Sequence, residues 1–369
     1  MAVKQTHKLA MFLPALRGGG AEKMMLHLAQ GFIDRGLQID LVLTKAVGPY
    51  LSQVPDGVRV VDLGVSRVLK SLPGLVRYLK KEQPEILFST LNQTNLIALT
   101  ARKLSGVEMR LVVREANALW KSVRHYPCLK RYLTPYLIGR LYPFADSVIA
   151  ISNGVAKDLL SLGTIPTQRL HVIYNPVVTQ KMTDQYLETV SHEWFHDKNI
   201  PIILSVGRLA EQKDFPTLIR AFRILKSRCN ARLMILGEGD KRHDLEKLIH
   251  SLGLEEDVQM PGFLINPLPY MANASVFVSS SAWEGFGNVI VEALAAGTQV
   301  VATLCPGGPS EILDGGRFGH LVPVGDPELM AQAIAKALDT PLPRQVLIDR
   351  GLEFSCEKAV EQYLEVLSV

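Results

Sequence analysis

Short apolar runs alternate along nearly the whole chain with longer stretches whose apolar positions recur at helical spacing. That alternation is the signature of parallel α/β layers. In the first half it predicts strands at 9–13, 38–43, 86–89, 110–114, 147–151 and 171–174. A helix from Ala21 carries Met25, Leu28, Ala29, Phe32 and Ile33 on one face. The pattern restarts with strands at 201–207, 233–236, 258–260, 275–279, 299–302 and 320–322. After the first of these, Phe215, Leu218, Ile219, Phe222 and Leu225 mark another amphipathic helix. Residues 177–199 are polar and without clear period, which places a hinge there. The expected organisation is an α/β domain over 1–178, a second over 199–345, and terminal helices over 346–369. In the last of these helices Val360, Tyr363, Leu364 and Leu367 form the apolar stripe.

Two segments of the second half carry chemistry. Glu284-Gly285-Phe286-Gly287-Asn288 and Glu292 lie between the strand at 275–279 and an apolar helical segment. A strand, a glycine-bearing turn and a helix start present free backbone N–H groups at the positive end of a helix dipole, a site suited to phosphate. Carboxylates beside it repel phosphate, so Glu284 and Glu292 fit hydroxyl groups flanking it, as the two sugars of a sugar nucleotide offer. Arg208 and Lys213 follow the strand at 201–207, at the carboxyl end where open α/β sheets bind ligands. An arginine fork with a lysine point charge can hold a diphosphate and neutralise it as it leaves.

Val206-Gly207-Arg208 with Lys213, Gly237-Glu238-Gly239, and Glu284-Gly285-Phe286-Gly287 with Glu292 together resemble the retaining glycosyltransferases of family 4. The likeness runs over nearly the whole chain. It implies the GT-B fold, two Rossmann-like domains facing across a cleft, with the last helix returning to the first domain. It implies a nucleotide-sugar donor, with UDP expected, held by the second domain, and a glycan or lipid-linked acceptor at the first. Arg208, Lys213 and Glu284 then take catalytic roles and Glu292 binds ribose. Gly239, Gly262, Phe263, Leu264 and the run Gly285, Phe286, Gly287, Asn288 bind substrate, the nucleobase meeting backbone groups near Gly262. Many relatives carry a histidine where this chain has Arg114-Glu115, and these two are the substrate-binding candidates at that strand end.

Arg17-Gly18-Gly19-Gly20 joins the first strand to the first helix, and its glycines permit close approach of backbone to ligand. The resemblance turns Gly19 and Gly20 toward donor phosphate and acceptor. A dinucleotide site is the competing reading, because Asp40 lies about twenty residues on, where a ribose-binding acid belongs. The third glycine of that fingerprint, however, falls on Lys23. A non-catalytic sugar-nucleotide binder and a sugar-nucleotide epimerase of the same architecture remain further alternatives. The loop Pro306-Gly307-Gly308-Pro309-Ser310-Glu311 reads either as a plain turn or as a donor contact.

Charge sharpens the division of labour. Residues 1–185 hold 24 Lys and Arg against 12 Asp and Glu, hence +12, while residues 186–369 hold 16 against 24, hence −8. A basic first half suggests an anionic surface or acceptor as its partner. Within it Trp120, Lys121, Arg124, His125, Tyr126, Lys130, Arg131, Tyr132, Tyr136, Arg140 and Tyr142 interleave cations with aromatic rings, as at a membrane interface rather than a nucleic-acid site. Pro127 and Pro135 are expected to break that stretch into short helices.

The remaining features set the compartment. Cys128, Cys229, Cys305 and Cys356 show neither redox nor metal-ligand spacing, so reduced thiols and a cytoplasmic location are expected, peripheral at the inner face of the membrane. Lys4 and Lys8 before the apolar 9–13 imitate a signal peptide, but the run is short and a glycine loop follows, as for a first strand. No Asp-x-Asp pair occurs, and neither a metal nor a cofactor is expected.

Overall fold

The computed structural model describes residues 7–120 and 128–368, which form two compact units. Unit 1 comprises Met1–Pro176 with Cys356–Val369, and unit 2 comprises Val177–Ser355. Each is a parallel sheet with flanking helices, so both are Rossmann-like.

The strands of unit 1 are β1 (Lys8–Leu13), β2 (Gln38–Leu43), β3 (Arg59–Asp62), β4 (Ile86–Thr90), β5 (Arg110–Glu115), β6 (Ser147–Ala150) and β7 (Leu170–Val172). They lie in the order β3-β2-β1-β4-β5-β6-β7. Both faces of the central strands are covered, which explains their nearly unbroken apolar runs. Leu9, Met11 and Leu13 pack with Met25, Leu28 and Phe32 of the helix Gly20–Ile33 and with Val360 and Tyr363. Strand β3 is absent from the sequence expectation. It is an edge strand, mostly exposed, whose Arg-Val-Val-Asp carries no apolar run to betray it.

Two further expectations change. The helix Cys128–Leu141 runs through Pro135 instead of breaking there. Proline removes one backbone donor, and the rest of the turn carries the helix across the gap. The terminal helices also divide: Cys356–Leu367 belongs to unit 1, while Arg344–Leu352 packs on the helix Asn288–Ala295 of unit 2. Of the segment 346–369, only the last helix has an apolar stripe that completes the first core.

Unit 2 contains β8 (Ile202–Val206), β9 (Arg232–Leu236), β10 (Val258–Gly262), β11 (Val276–Ser279), β12 (Gln299–Thr303) and β13 (His320–Val322), ordered β10-β9-β8-β11-β12-β13. The strand order reverses between β8 and β11, and ligands of open α/β sheets bind outside the carboxyl ends at such a switch point. Phe215, Leu218, Phe222 and Leu225 seat the helix Phe215–Lys226 on Ile203, Leu233 and Ile235. The segment read as a hinge is part of this unit. It includes the helix Gln180–Tyr186, too short and polar to show a period, and it buries Met182, Trp194 and Phe195.

Candidate active site

The two loops singled out in the second half meet at the β8/β11 switch point. After β8 the chain turns through Gly207 and Arg208 into the turn Glu211–Lys213. The Lys213 stem lies against Gly207, whose added Cβ would sit 3.2 Å from Cε. Its ammonium donates to Oε1 of Glu284 at 2.5 Å, and the hydroxyl of Ser281 donates to the same oxygen at 2.7 Å. Gln212 joins the loops through their backbones: its Nε2 donates to the Trp283 carbonyl at 2.9 Å, and its own carbonyl accepts the Ala282 N–H at 2.8 Å. Arg208 is exposed, and its guanidinium takes no hydrogen-bond or ion-pair partner among the described residues. A cation tied to a buried carboxylate thus lies on the same loop as a cation left for an external anion.

A third loop closes the arrangement. The Glu284 N–H donates to the Pro306 carbonyl at 3.0 Å. Gly307 has φ of +120°, and a Cβ there would lie 2.0 Å from the Glu284 carbonyl oxygen. Only glycine fits, so the loop after β12 is locked against the segment that carries the glutamate. Cys305, buried beside that carboxylate, has its thiol pushed up to about 12 by burial and by the charge of Glu284. It is a packing residue rather than a nucleophile.

Glu284 and Glu292 are 7% and 4% exposed, so neither is a solvated surface acid. Glu292 lies in the helix Asn288–Ala295, whose first turn follows Gly287. The Tyr186 hydroxyl donates to the Glu292 carbonyl at 2.9 Å, and burial together with the Glu292 charge raises the tyrosine pKa. Gly285 and Gly287 are buried and Asn288 opens the helix. The Phe286 ring is buried and meets the Phe354 ring edge-on at 5.5 Å.

On the other side of β8, backbone bonds tie the strand ends together. The Leu209 N–H donates to Glu238 at 2.9 Å, and Gly237 N–H donates to Gly262 at 2.8 Å. Gly237 must be glycine, because a Cβ would lie 1.9 Å from the Gly207 carbonyl oxygen. Gly239 is under the same constraint, since a Cβ there would lie 2.3 Å from the Leu209 carbonyl oxygen, and Gly262 is buried. Phe263 is exposed and Leu264 half-buried at the end of β10. Arg208, Lys213, Gly239, Gly262, Glu284 and Glu292 therefore all belong to the carboxyl-end loops and following helix of one sheet.

Unit 1 corrects two of the candidate contacts. Arg114 and Glu115 are fully buried, on opposite faces of β5, and are not available to a substrate. The Arg114 guanidinium donates to the Tyr363 hydroxyl at 2.9 Å, to Thr90 Oγ1 at 2.9 Å and to Asn175. It fastens the final helix to the sheet. Glu115 accepts from the Tyr142 hydroxyl at 2.8 Å, and burial raises its carboxyl to about 7.

The glycine loop also differs from expectation. Glu22 reaches back so that its Oε2 accepts the N–H groups of Gly18 and Gly19, at 2.9 and 3.1 Å. The amide of Gly19 is therefore taken by the chain's own carboxylate, a local helix-capping arrangement. Gly20, the first helical residue, is exposed. Asp40 accepts from Arg59 Nε at 2.7 Å and from the Tyr78 hydroxyl at 2.6 Å, inside β2 rather than at its carboxyl end. That commitment removes the acid a dinucleotide ribose would need.

Of the basic aromatic stretch, Lys121, Arg124, His125 and Tyr126 lie outside the described residues, as does the side chain of Lys130. Tyr132, Tyr136 and Phe144 are 69%, 58% and 70% exposed. Arg131 lies 5.9 Å from the Tyr132 ring centre, and Arg140 lies 5.6 Å from that of Tyr136. Tyr142, by contrast, is buried. Among the described residues no helix is long and apolar enough to cross a membrane, and no cluster of His, Cys, Asp and Glu could hold a metal ion.

Sequence reasoning missed Ser281, Gln212 and Tyr186. Only Ser281 leaves a signal, a Ser-x-x-Glu spacing that brings a hydroxyl back onto a carboxylate.

Comparison with known proteins gives the family of the chain. Residues 18–181 match the family model Glycosyltransferase Family 4, and residues 188–354 match Glycosyl transferases group 1. The chain is 33% identical over 344 residues to the N-acetylgalactosamine-N,N'-diacetylbacillosaminyl-diphospho-undecaprenol 4-alpha-N-acetylgalactosaminyltransferase of Campylobacter jejuni, covering 90% of each chain. It is 27% identical to the lipopolysaccharide core biosynthesis glycosyltransferase LpsE of Rhizobium meliloti, covering 95% of this chain and 96% of that one. The crystal structure of Anabaena Alr3699/HepE in complex with UDP and glucose superposes with a TM-score of 0.80 at 22% identity, covering 98% and 99% of the two chains. The sequence motifs, the paired Rossmann-like units and these likenesses make the chain a member of glycosyltransferase family 4, with the GT-B fold.

Proposed function

We propose that unit 2 binds a UDP-sugar and that the protein transfers its hexosyl or N-acetylhexosaminyl group, with retention, to a glycan or lipid-linked acceptor. The observation that carries this reading is the constellation at the β8/β11 switch point: exposed Arg208, Lys213 paired with buried Glu284, and buried Glu292 one helical segment on. Arg208 and Lys213 stabilise charge developing on the departing diphosphate, with the first turn of the helix Asn288–Ala295 adding its amide groups. Glu292 accepts from ribose hydroxyls and Glu284 from hydroxyls of the transferred sugar. UDP in the related Anabaena structure and the diphospho-undecaprenol in the name of the Campylobacter relative support a UDP donor and a lipid-linked acceptor.

Attack occurs on the face the diphosphate leaves. The bond from C1 to the phosphate oxygen breaks, the acceptor oxygen bonds to C1, and the departing phosphate oxygen takes the acceptor's proton. Two side-chain cations already oppose the diphosphate charge, so turnover requires no cofactor and is expected to persist in EDTA. The exposed Tyr132, Tyr136 and Phe144 with Arg131 and Arg140 support peripheral attachment to an anionic membrane, where such an acceptor resides.

A mass-spectrometric screen of sugar nucleotides against lipid-extract acceptors tests the reading. Formation of a glycosylated lipid with release of UDP supports it. Conversion of the sugar nucleotide to an isomer without acceptor would identify an epimerase instead.

A further inference from the structure

Ser281 follows β11 and is 1% exposed, and none of the roles above uses it. Its hydroxyl proton goes to Oε1 of Glu284 at 2.7 Å, the oxygen that also accepts from Lys213 at 2.5 Å. Among the described residues, Oε2 of the same carboxylate receives no hydrogen bond. Both of the chain's own donors thus fall on one oxygen. We propose that Ser281 is a positioning residue that fixes the Glu284 carboxylate so that Oε2 remains the acceptor for a hydroxyl of the donor's hexose. This inference rests on the reading of Glu284 given above.

The two donors differ in what else they can do. Lys213 carries three N–H groups and a full charge, so a diphosphate competes for it and can share it. Ser281 carries one proton and no charge, and a diphosphate does not draw it away. A carboxylate held by Lys213 alone would be free to turn whenever the ammonium is redirected to phosphate. With Ser281 in place one oxygen stays anchored. Ser281 is itself fixed: its carbonyl accepts from Thr303 Oγ1 on β12, and the adjacent Ser280 hydroxyl donates to the Lys213 carbonyl at 2.7 Å. The backbone leading into the glutamate, and the glutamate's own N–H on the Pro306 carbonyl, are therefore held independently of the Ser281 hydroxyl, and deleting that oxygen is expected to leave the loops in place.

Calorimetry with UDP and with a panel of UDP-glucose, UDP-galactose and their N-acetyl counterparts tests the assignment, using the wild type, Ser281→Ala, Glu284→Gln and the double variant. Losing one hydrogen bond to a charged group costs roughly tenfold to a hundredfold in an equilibrium constant. Ser281→Ala is expected to weaken the preferred UDP-sugar by about that factor, to leave UDP within about twofold, and to add little once Glu284 is already Gln. Three results would overturn the proposal. If Glu284→Gln binds the UDP-sugar normally, the role of Glu284 falls and this inference with it. If Glu284→Gln is impaired and Ser281→Ala is not, Ser281 does not position it, while the donor reading survives. If Ser281→Ala weakens UDP and UDP-sugar alike, the hydroxyl only supports the loop.

Discussion

Replacing Lys213 by Ala removes the charged partner of Glu284 and leaves that carboxylate with the Ser281 hydroxyl alone. Breaking a fully buried ion pair from one side costs roughly 3–5 kcal/mol, because an uncompensated charge stays in the interior. Here the two side chains keep 18% and 9% of their exposure, so solvent recovers part of that loss. A penalty of about 2–3 kcal/mol follows, which for a unit of this size lowers Tm by roughly 4–12 °C. The penalty comes from stranded charge, so changing Glu284 to Gln in the same background should return about half of it. Differential scanning calorimetry of the wild type, Lys213→Ala and Lys213→Ala/Glu284→Gln measures this, the unit 2 transition being the one that UDP raises. A Tm for Lys213→Ala within about 2 °C of the wild type, or a double variant no more stable than the single, would refute the reasoning.

Other parts of the structure give further expectations. Burial raises the Glu115 carboxyl from 4.5 to about 7, so the folded state binds its proton more tightly than the unfolded chain. Its contribution is most favourable below pH 4.5 and is lost as pH rises through 7, by about 3 kcal/mol in all; Glu115→Gln should flatten that fall in a Tm series from pH 4.5 to 8. Gly307→Ala combines a left-handed φ with a Cβ 2.0 Å from the Glu284 carbonyl oxygen. It should destabilise unit 2 by more than about 3 kcal/mol and abolish UDP binding, read by calorimetry. Changing Arg131, Tyr132, Tyr136 and Arg140 together to Ser removes two cations worth about 1 kcal/mol each near an anionic bilayer. Vesicle co-sedimentation should then fall by roughly thirtyfold or more at low salt, whereas undiminished binding would mark a merely solvated face.

Periodicity made the buried strands and amphipathic helices legible, because each has its own repeat of apolar residues. Strand β3 had no such repeat, since an exposed edge imposes no apolar alternation. Pro135 misled because a helix held from both sides can spare one backbone bond. In the site, Arg208, Lys213, Glu284 and Glu292 stood out as charges beside strand ends in the second half. The same rule failed at Arg114 and Glu115, where the strand end is covered and both charges turn inward. Their partners, Tyr363 and Tyr142, read as packing or surface aromatics, because a phenol's polar use depends on what folding brings to its hydroxyl. Glu22 was overlooked for a related reason: a free glycine-loop amide and one capped by a nearby carboxylate look alike until the side chain is placed.

The proposed donor site assigns two buried glutamates to two different sugars of one donor. Isothermal calorimetry of UDP binding to Glu292→Gln and Glu284→Gln tests that division most directly. Ribose belongs to UDP itself, so Glu292→Gln should weaken UDP by roughly tenfold or more, the cost of losing hydrogen bonds to a charged acceptor. The hexose is absent from UDP, so Glu284→Gln should leave its affinity within about twofold of the wild type while impairing transfer. Equal losses in the two variants, or UDP affinity unchanged in Glu292→Gln, would contradict the assignment.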